Sequence, residues 1–153
     1  MKDSLTAGDI CTRTVVVADK GMTVDEAARL MRKHEVGCLV VVEEIAPGQP
    51  AVVGVLTDRD IVVGVVAGAR DATLLRAGDV MTRDVITARE PDSILDVLGG
   101  MRRKHVRRVP VTGPQGVLIG IVALDDVLAV LALEMQAIAA AVGATGANGA
   151  RAR

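Results

Sequence analysis

The 153-residue chain contains no Phe, Tyr or Trp. That absence excludes binders that stack nucleobases on rings, such as RRM and OB folds. Strong net charge is missing too: 18 basic residues face 19 acidic ones, for a formal charge of −1. Broad electrostatic binding to nucleic acid is therefore not expected. Cysteine is scarce. Cys11 and Cys38 are too few for a disulfide scaffold and point to reduced thiols in a cytoplasmic setting. The apolar runs are short and broken by Gly, Asp or Glu, so no membrane span of about 20 residues is expected. The start, MKDSLTAGDI, has an early Asp and no apolar core, so no signal peptide is expected. What is abundant is aliphatic. Hydrophobic residues make up 50 % of the chain, enough for a folded core.

An internal repeat organises these residues. AGDICTRTVVV (7–17) returns as AGDVMTRDVIT (77–87), an offset of 70. The offset continues through Val24 and Ile94, Ala27 and Val97, Met31 and Met101, Val36 and Val106, and Val41 and Val111. After a longer loop in the first copy, VVGVLTDRDIV (52–62) matches LIGIVALDDVL (118–128). Each copy of about 60 residues is small for an independent core, so the two are expected to bury their apolar faces against each other.

Both copies carry the same element signals. Val15–Val17 and Val85–Thr87 read as extended pieces. Thr23 with Glu26, and Ser93 with Asp96, read as helix N-caps followed by apolar faces at helical spacing. Gly99-Gly100 weakens the second of these helices, which predicts a close packing contact there. Strands follow at Leu39–Val42 and Val109–Thr112, then turns at Pro47-Gly48 and Gly113-Pro114. Second strands at Val52–Leu56 and Val117–Val122 lead into helices near Arg59–Val66 and Asp125–Ala141. The expected fold class is α/β (α+β): two β-α-β-β-α repeats, residues 7–68 and 77–135, related by a pseudo-two-fold axis. Residues 143–153, GATGANGARAR, are small and read as a flexible tail.

Gly54-Val55-Leu56-Thr57-Asp58-Arg59-Asp60 stands at a strand-to-helix junction, and Gly120-Ile121-Val122-Ala123-Leu124-Asp125-Asp126 is its counterpart. With Val106-Arg107-Arg108-Val109-Pro110-Val111 and Asp79-Val80-Met81-Thr82, these motifs make the chain resemble a tandem pair of CBS domains, a Bateman module. The resemblance runs from about residue 5 to 135. It implies a standalone, non-enzymatic module that binds adenosyl ligands (AMP, ADP, ATP, NAD or S-adenosylmethionine) in clefts between its copies, requires no cofactor, and forms homodimers through its helices.

The residues suit that chemistry. A carboxylate accepts hydrogen bonds from both hydroxyls of a ribose, and such charge-assisted bonds are about twice as strong as neutral ones. Asp60 and Asp126 lie in the first turn of a helix, where the dipole favours them. The backbone N–H groups of that turn and the Thr57 hydroxyl suit phosphate. Gly54 and Gly120 remove side chains where a ligand would approach the backbone. Carried over by resemblance, one cleft uses Thr57, Arg59 and Asp60 with Asp79, Asp84 and Val106. The other uses Asp126 with Arg107 and Arg108 near phosphate, and Asp9, Thr14, Val36 and Cys38 around the base. Two departures stand out. Ala123 replaces the Thr of the second motif, and Gly37-Cys38 occupies the place of Arg107-Arg108, which makes the Thr57/Asp60 cleft the one poorer in cations.

Blander roles compete for the same residues. Asp60 and Asp126 equally suit simple helix N-terminal carboxylates. Arg102 to Lys104 suit a solvated helix end. Cys11, Cys38, His34 and His105 show no metal-ligand spacing, so no metal site is expected. The alternative function is a ligand-independent interaction module, for which the Ala/Leu/Val-rich stretch 127–142 is the candidate interface.

Overall fold

The structure, a computed structural model, describes residues 5–150, with side chains as far as residue 145. The first copy begins with α1 (Ala7–Ile10), β1 (Val17–Asp19) and α2 (Val24–His34). It continues with β2 (Cys38–Ala46), β3 (Gln49–Thr57) and α3 (Asp58–Ile61), which runs into a π turn at Val62–Val66. The second copy has α4 (Ala77–Val80), α5 (Ile94–Lys104), β4 (Arg108–Thr112), β5 (Leu118–Ala123) and α6 (Leu124–Ala150).

Local chemistry sets these boundaries. The Thr23 side chain accepts from the Glu26 N–H, while Glu26 accepts from the Thr23 N–H at 2.9 Å, a reciprocal cap at the start of α2. That bonding holds the Glu26 carboxyl below its ordinary pKa. Ser93 caps α5 through its hydroxyl, which accepts from the Asp96 N–H at 3.2 Å and donates to Asp96 Oδ2 at 2.8 Å. Both helices end on a left-handed residue, Glu35 and His105, each with φ 53°. Gly100 is buried, and a Cβ there would stand 3.1 Å from the Ile86 side chain, which is the close contact its sequence predicts.

β1, β2 and β3 form one sheet, parallel between β1 and β2 and antiparallel between β2 and β3. β4 and β5 form an antiparallel pair. The extended piece expected at Val85–Thr87 forms no strand; its ladder is reduced to a single parallel bridge, Ala88 to Val111. Both antiparallel pairs slip register at equivalent points, Val41/Val42 and Val111/Thr112, beside Gly54 and Gly120.

The two copies exchange their leading segments. α1 leaves its own copy and bonds to the other: Ala7 N–H donates to the Asp92 carbonyl and Gly8 N–H to that of Glu90. α4 does the reverse, through Ala77 N–H to Met22 and Gly78 N–H to Lys20. One core gathers Ala7 with Ile94, Val97, Met101, Val109, Val111, Val122 and Val127. The other gathers Ala77 and Met81 with Ala18, Ala27, Met31, Leu39, Val41 and Leu56. Each copy therefore completes the other's core, which offsets the small size of either alone.

Two sequence expectations are corrected in α6. Residues 143–150, expected as a flexible tail, continue the helix; residues 151–153 lie outside the described residues. The expectation that no segment reaches membrane-span length also fails. Leu124–Thr145 is long and apolar enough by composition, because its alanines and valines sustain the helix past Glu134, its one charge after Asp126.

Candidate functional site

The glycines of the repeated motif serve a different approach from the one expected. A Cβ on Gly54 would lie 2.4 Å from Met81 Sδ and 2.9 Å from the Thr82 carbonyl oxygen. A Cβ on Gly120 would lie 2.8 Å from the Thr12 carbonyl oxygen and 3.0 Å from Cys11 Sγ. What comes close is the other copy's early loop, not a ligand. That loop is bonded in place: Val55 and Thr82 exchange N–H to carbonyl bonds at 3.0 and 2.9 Å, and Thr12 and Ile121 do the same at 2.9 Å each way. The exchange brings Thr82–Ile86 alongside the end of β3.

A cavity of about 610 Å3 opens at this junction, within the usual range for small-molecule sites. Thr57, Asp58, Arg59 and Asp60 from the first copy form one side. Thr82, Asp84, Val85 and Ile86 from the exchanged loop form another. Gly37 and Cys38 at the start of β2, and Lys104 to Arg108 leading into β4, complete it, with Val55 on the inner wall.

The Thr57/Asp60 cleft is thus the cation-rich one, reversing the expected order. The two strand starts meet at one cleft, so Arg107 and Arg108 stand beside Cys38 and the Thr57 motif rather than in a separate site with Asp126. Of the expected site residues, Cys38, Thr57, Arg59, Asp60, Asp84, Val106, Arg107 and Arg108 line the cavity. Asp79 does not. Its carboxylate accepts from the Arg76 N–H at 2.8 Å and caps α4. Asp9 caps α1 in the same way, accepting from the Thr6 N–H and hydroxyl. Thr14 is exposed outside the cavity, Val36 packs on the first copy's core, and Asp126 lies in the first turn of α6, apart from the lining.

Within the cleft the polar groups hold one another. Asp60 Oδ2 accepts from the Thr57 N–H and hydroxyl, both at 2.8 Å, and the Asp60 N–H donates back to Thr57 Oγ1 at 3.1 Å. This capping box uses Oδ2, so Oδ1 is the oxygen available to a ribose hydroxyl. Lys104 Nζ is paired with Asp84 Oδ2 across the cleft. Arg107 is paired with Asp125 at 2.9 Å. No ion pair among the described residues involves Arg59 or Arg108. Burial pushes the Cys38 thiol above its ordinary pKa, with Asp60 and Asp58 adding to the rise and Arg108 opposing it. Cys38 is therefore a neutral wall group rather than a thiolate nucleophile. Val55, Val85, Ile86 and Val106 supply an aliphatic surface suited to the face of a base. Among the described residues no group of three or more His, Cys, Asp or Glu could hold a metal ion.

Sequence reasoning missed Lys104 and His105, assigning the first to a solvated helix end. The signal was available: they immediately precede Val106-Arg107-Arg108, and the left-handed turn at His105 swings the chain into the cleft.

A family model for the CBS domain matches residues 7–66 and again residues 77–133. The chain belongs to the CBS domain family. It is a tandem CBS pair. The CBS domain-containing protein YhcV of Bacillus subtilis is 36 % identical over 118 residues, covering 77 % of this chain and 79 % of that protein. Hypoxic response protein 1 of Mycobacterium tuberculosis is 34 % identical over 122 residues, covering 80 % and 82 %. An uncharacterised protein of Methanopyrus kandleri is 34 % identical over 127 residues, and the match spans 63 % of its length. Among solved structures, the CBS domain pair of protein MJ0100, in complex with 5-methylthioadenosine and S-adenosyl-L-methionine, superposes with a TM-score of 0.73 at 26 % identity, covering 86 % of this chain and 98 % of that one.

Proposed function

We propose that this CBS pair is a non-catalytic sensor that binds an adenosine-containing, phosphate-bearing ligand in the Thr57/Asp60 cleft. One observation carries the reading: a single cavity gathers a carboxylate at a helix start, an aliphatic wall and five basic side chains, Arg59, Lys104, His105, Arg107 and Arg108. Asp60 takes the ribose hydroxyls. Val106, Val85 and Ile86 bracket the base. Arg59 and Arg108 take phosphate, joined by Arg107 and Lys104 as these leave their acidic partners. The MJ0100 pair supports an adenosyl ligand. The cations favour AMP, ADP, ATP or NAD over the sulfonium of S-adenosylmethionine.

Because the lining comes from both copies, a bound nucleotide favours one relative arrangement of the two and shifts the population toward it. A partner protein reads that shift. The free thiols of Cys11 and Cys38 support a reducing, cytoplasmic setting. The ligand-independent interaction reading is favoured by one feature only, the exposed apolar helix α6.

A thermal-shift panel of AMP, ADP, ATP, NAD, S-adenosylmethionine and 5-methylthioadenosine tests the proposal. Ligand at 100 times its Kd adds about 2.7 kcal/mol of stability. Nucleotides are expected to raise Tm most. No shift with any of the six at millimolar concentration overturns the reading.

A further inference from the structure

Arg107 belongs to the ligand cleft and to helix α6 at once. It lines the cavity, yet its Nη2 donates to Asp125 Oδ1 at 2.9 Å and its carbonyl accepts from the Leu124 N–H at 2.8 Å. Leu124 and Asp125 are the first two residues of α6, and Asp125 stands outside the cavity lining. The start of α6 is therefore gripped twice, by backbone and by side chain, from a residue that faces the cleft.

The internal repeat shows which half of that grip the fold needs. At the equivalent place in the first copy, the Asp58 N–H donates to the Gly37 carbonyl at 3.0 Å. The backbone bond is thus common to both copies. The ion pair is not: Gly37 has no side chain, and Arg59 stands where Asp125 does in the second copy. Helix α3 starts on its Thr57 cap without such a pair, so starting a helix at this junction does not require one. The Arg107 and Asp125 side chains are 68 % and 66 % exposed. An exposed pair contributes little stability, so a more highly charged anion displaces Asp125 easily. A nucleotide phosphate is such an anion and suits the two-pronged guanidinium.

We propose that Arg107 is shared between the two: a nucleotide phosphate in the cleft takes its guanidinium from Asp125, and loss of that pair loosens the first turn of α6. The proposal rests on the Thr57/Asp60 cleft being the nucleotide site and adds the route by which occupancy reaches the helix. Asp125 is then a built-in competitor. It lowers affinity for phosphate-bearing ligands and leaves adenosine, which has no phosphate, untouched. The coupling is reciprocal: removing the Asp125 charge tightens nucleotide binding by the factor with which the nucleotide weakens the pair. Helix α6 continues past the CBS match that ends at residue 133 and is exposed over most of its length, so it is placed to show the change to a partner.

The test is isothermal titration of ATP and of adenosine into the full chain, on wild type, Asp125→Asn, Arg107→Ala and the double variant. Asp125→Asn is expected to bind ATP about two- to fivefold more tightly and adenosine as wild type does. In the Arg107→Ala background, Asp125→Asn is expected to change nothing. Unchanged ATP affinity in Asp125→Asn overturns the sharing, and so does tightening toward adenosine as well. Equal tightening with and without Arg107 also overturns it, since the effect would then be general electrostatics. A wild type that binds no ATP at millimolar concentration overturns the cleft reading itself, and this inference with it. Hydrogen exchange on the wild type reads the helix without any variant. The amides of residues 124–128 are expected to exchange faster with ATP bound and at the free-protein rate with adenosine; an unchanged rate with ATP bound overturns the coupling to α6.

Discussion

Replacing Asp60 separates its two roles, because only one of them needs a charge. In the structure Asp60 Oδ2 accepts two bonds from Thr57 at 2.8 Å and closes the cap of α3. Asp60→Ala removes both and leaves the Thr57 N–H and hydroxyl without that acceptor. Losing such a cap costs about 1 kcal/mol, which lowers Tm by about 3 °C for a chain of this length. Asp60→Asn keeps an oxygen to accept from the Thr57 N–H, so its stability cost is less than half of that. Its effect on binding is the larger one. A ribose bond to a carboxylate contributes about 1.5–3 kcal/mol, so neutralising it weakens nucleotide affinity by about 10- to 150-fold. The assay pairs thermal denaturation with isothermal titration of ATP. Glu26, which closes the equivalent cap of α2 away from the cleft, is the control; Glu26→Gln is expected to leave affinity unchanged. Wild-type affinity in a stable Asp60→Asn would reduce Asp60 to a helix cap and refute the reasoning.

Three further outcomes follow from named contacts. Gly120→Ala places a methyl 2.8 Å from the Thr12 carbonyl oxygen, which accepts from the Ile121 N–H in a residue that is bonded to Ile121 both ways; overpacking of this kind costs about 1–3 kcal/mol, read as a lower denaturation midpoint. Arg108→Ala removes an exposed cation and leaves stability unchanged, but weakens ATP binding about tenfold and flattens its salt dependence; an unchanged affinity would contradict the phosphate assignment. Because burial raises the Cys38 pKa, its neutral thiol suits the fold. That contribution is intact below the unfolded thiol value of about 8.5 and is lost as pH rises from there through the folded value. Alkylation of Cys38 is therefore slow at neutral pH, faster above pH about 9, and slower again with nucleotide bound; fast alkylation at neutral pH would contradict its burial.

The sequence made the elements legible because the repeat set their order and the caps at Thr23 and Ser93 set their starts. It left the pairing of copies open. Nothing in AGDI or AGDV states that these short helices cross to the other copy's core, since the same apolar residues suit either. The exchange is what moves Thr82–Ile86 beside β3, while Cys38 stands opposite Thr57 in the β2–β3 ladder and Arg107 and Arg108 reach the same cleft from the start of β4. The sequence alone therefore divides between two clefts residues that line one, and it reads Gly54 and Gly120 as room for a ligand when they admit a neighbouring loop. Asp9 and Asp79 show a related limit: a carboxylate in a first helical turn reads the same whether it caps the helix, as here, or meets a ligand. The sequence understates the length of α6, because Gly143 and the small residues after it suit a coil as readily as a helix held by its own ladder.

The most direct test of the ligand cleft uses the missing aromatics. With no Trp, Tyr or Phe in the chain, near-ultraviolet absorbance that sediments with the protein comes from bound nucleotide. Sedimentation velocity of the protein with ATP, followed at the adenine absorbance, is expected to show one nucleotide moving with each chain and a clear loss in Asp60→Asn. Adenine absorbance that stays at the meniscus at millimolar ATP, and equally for AMP, ADP and NAD, would contradict the account.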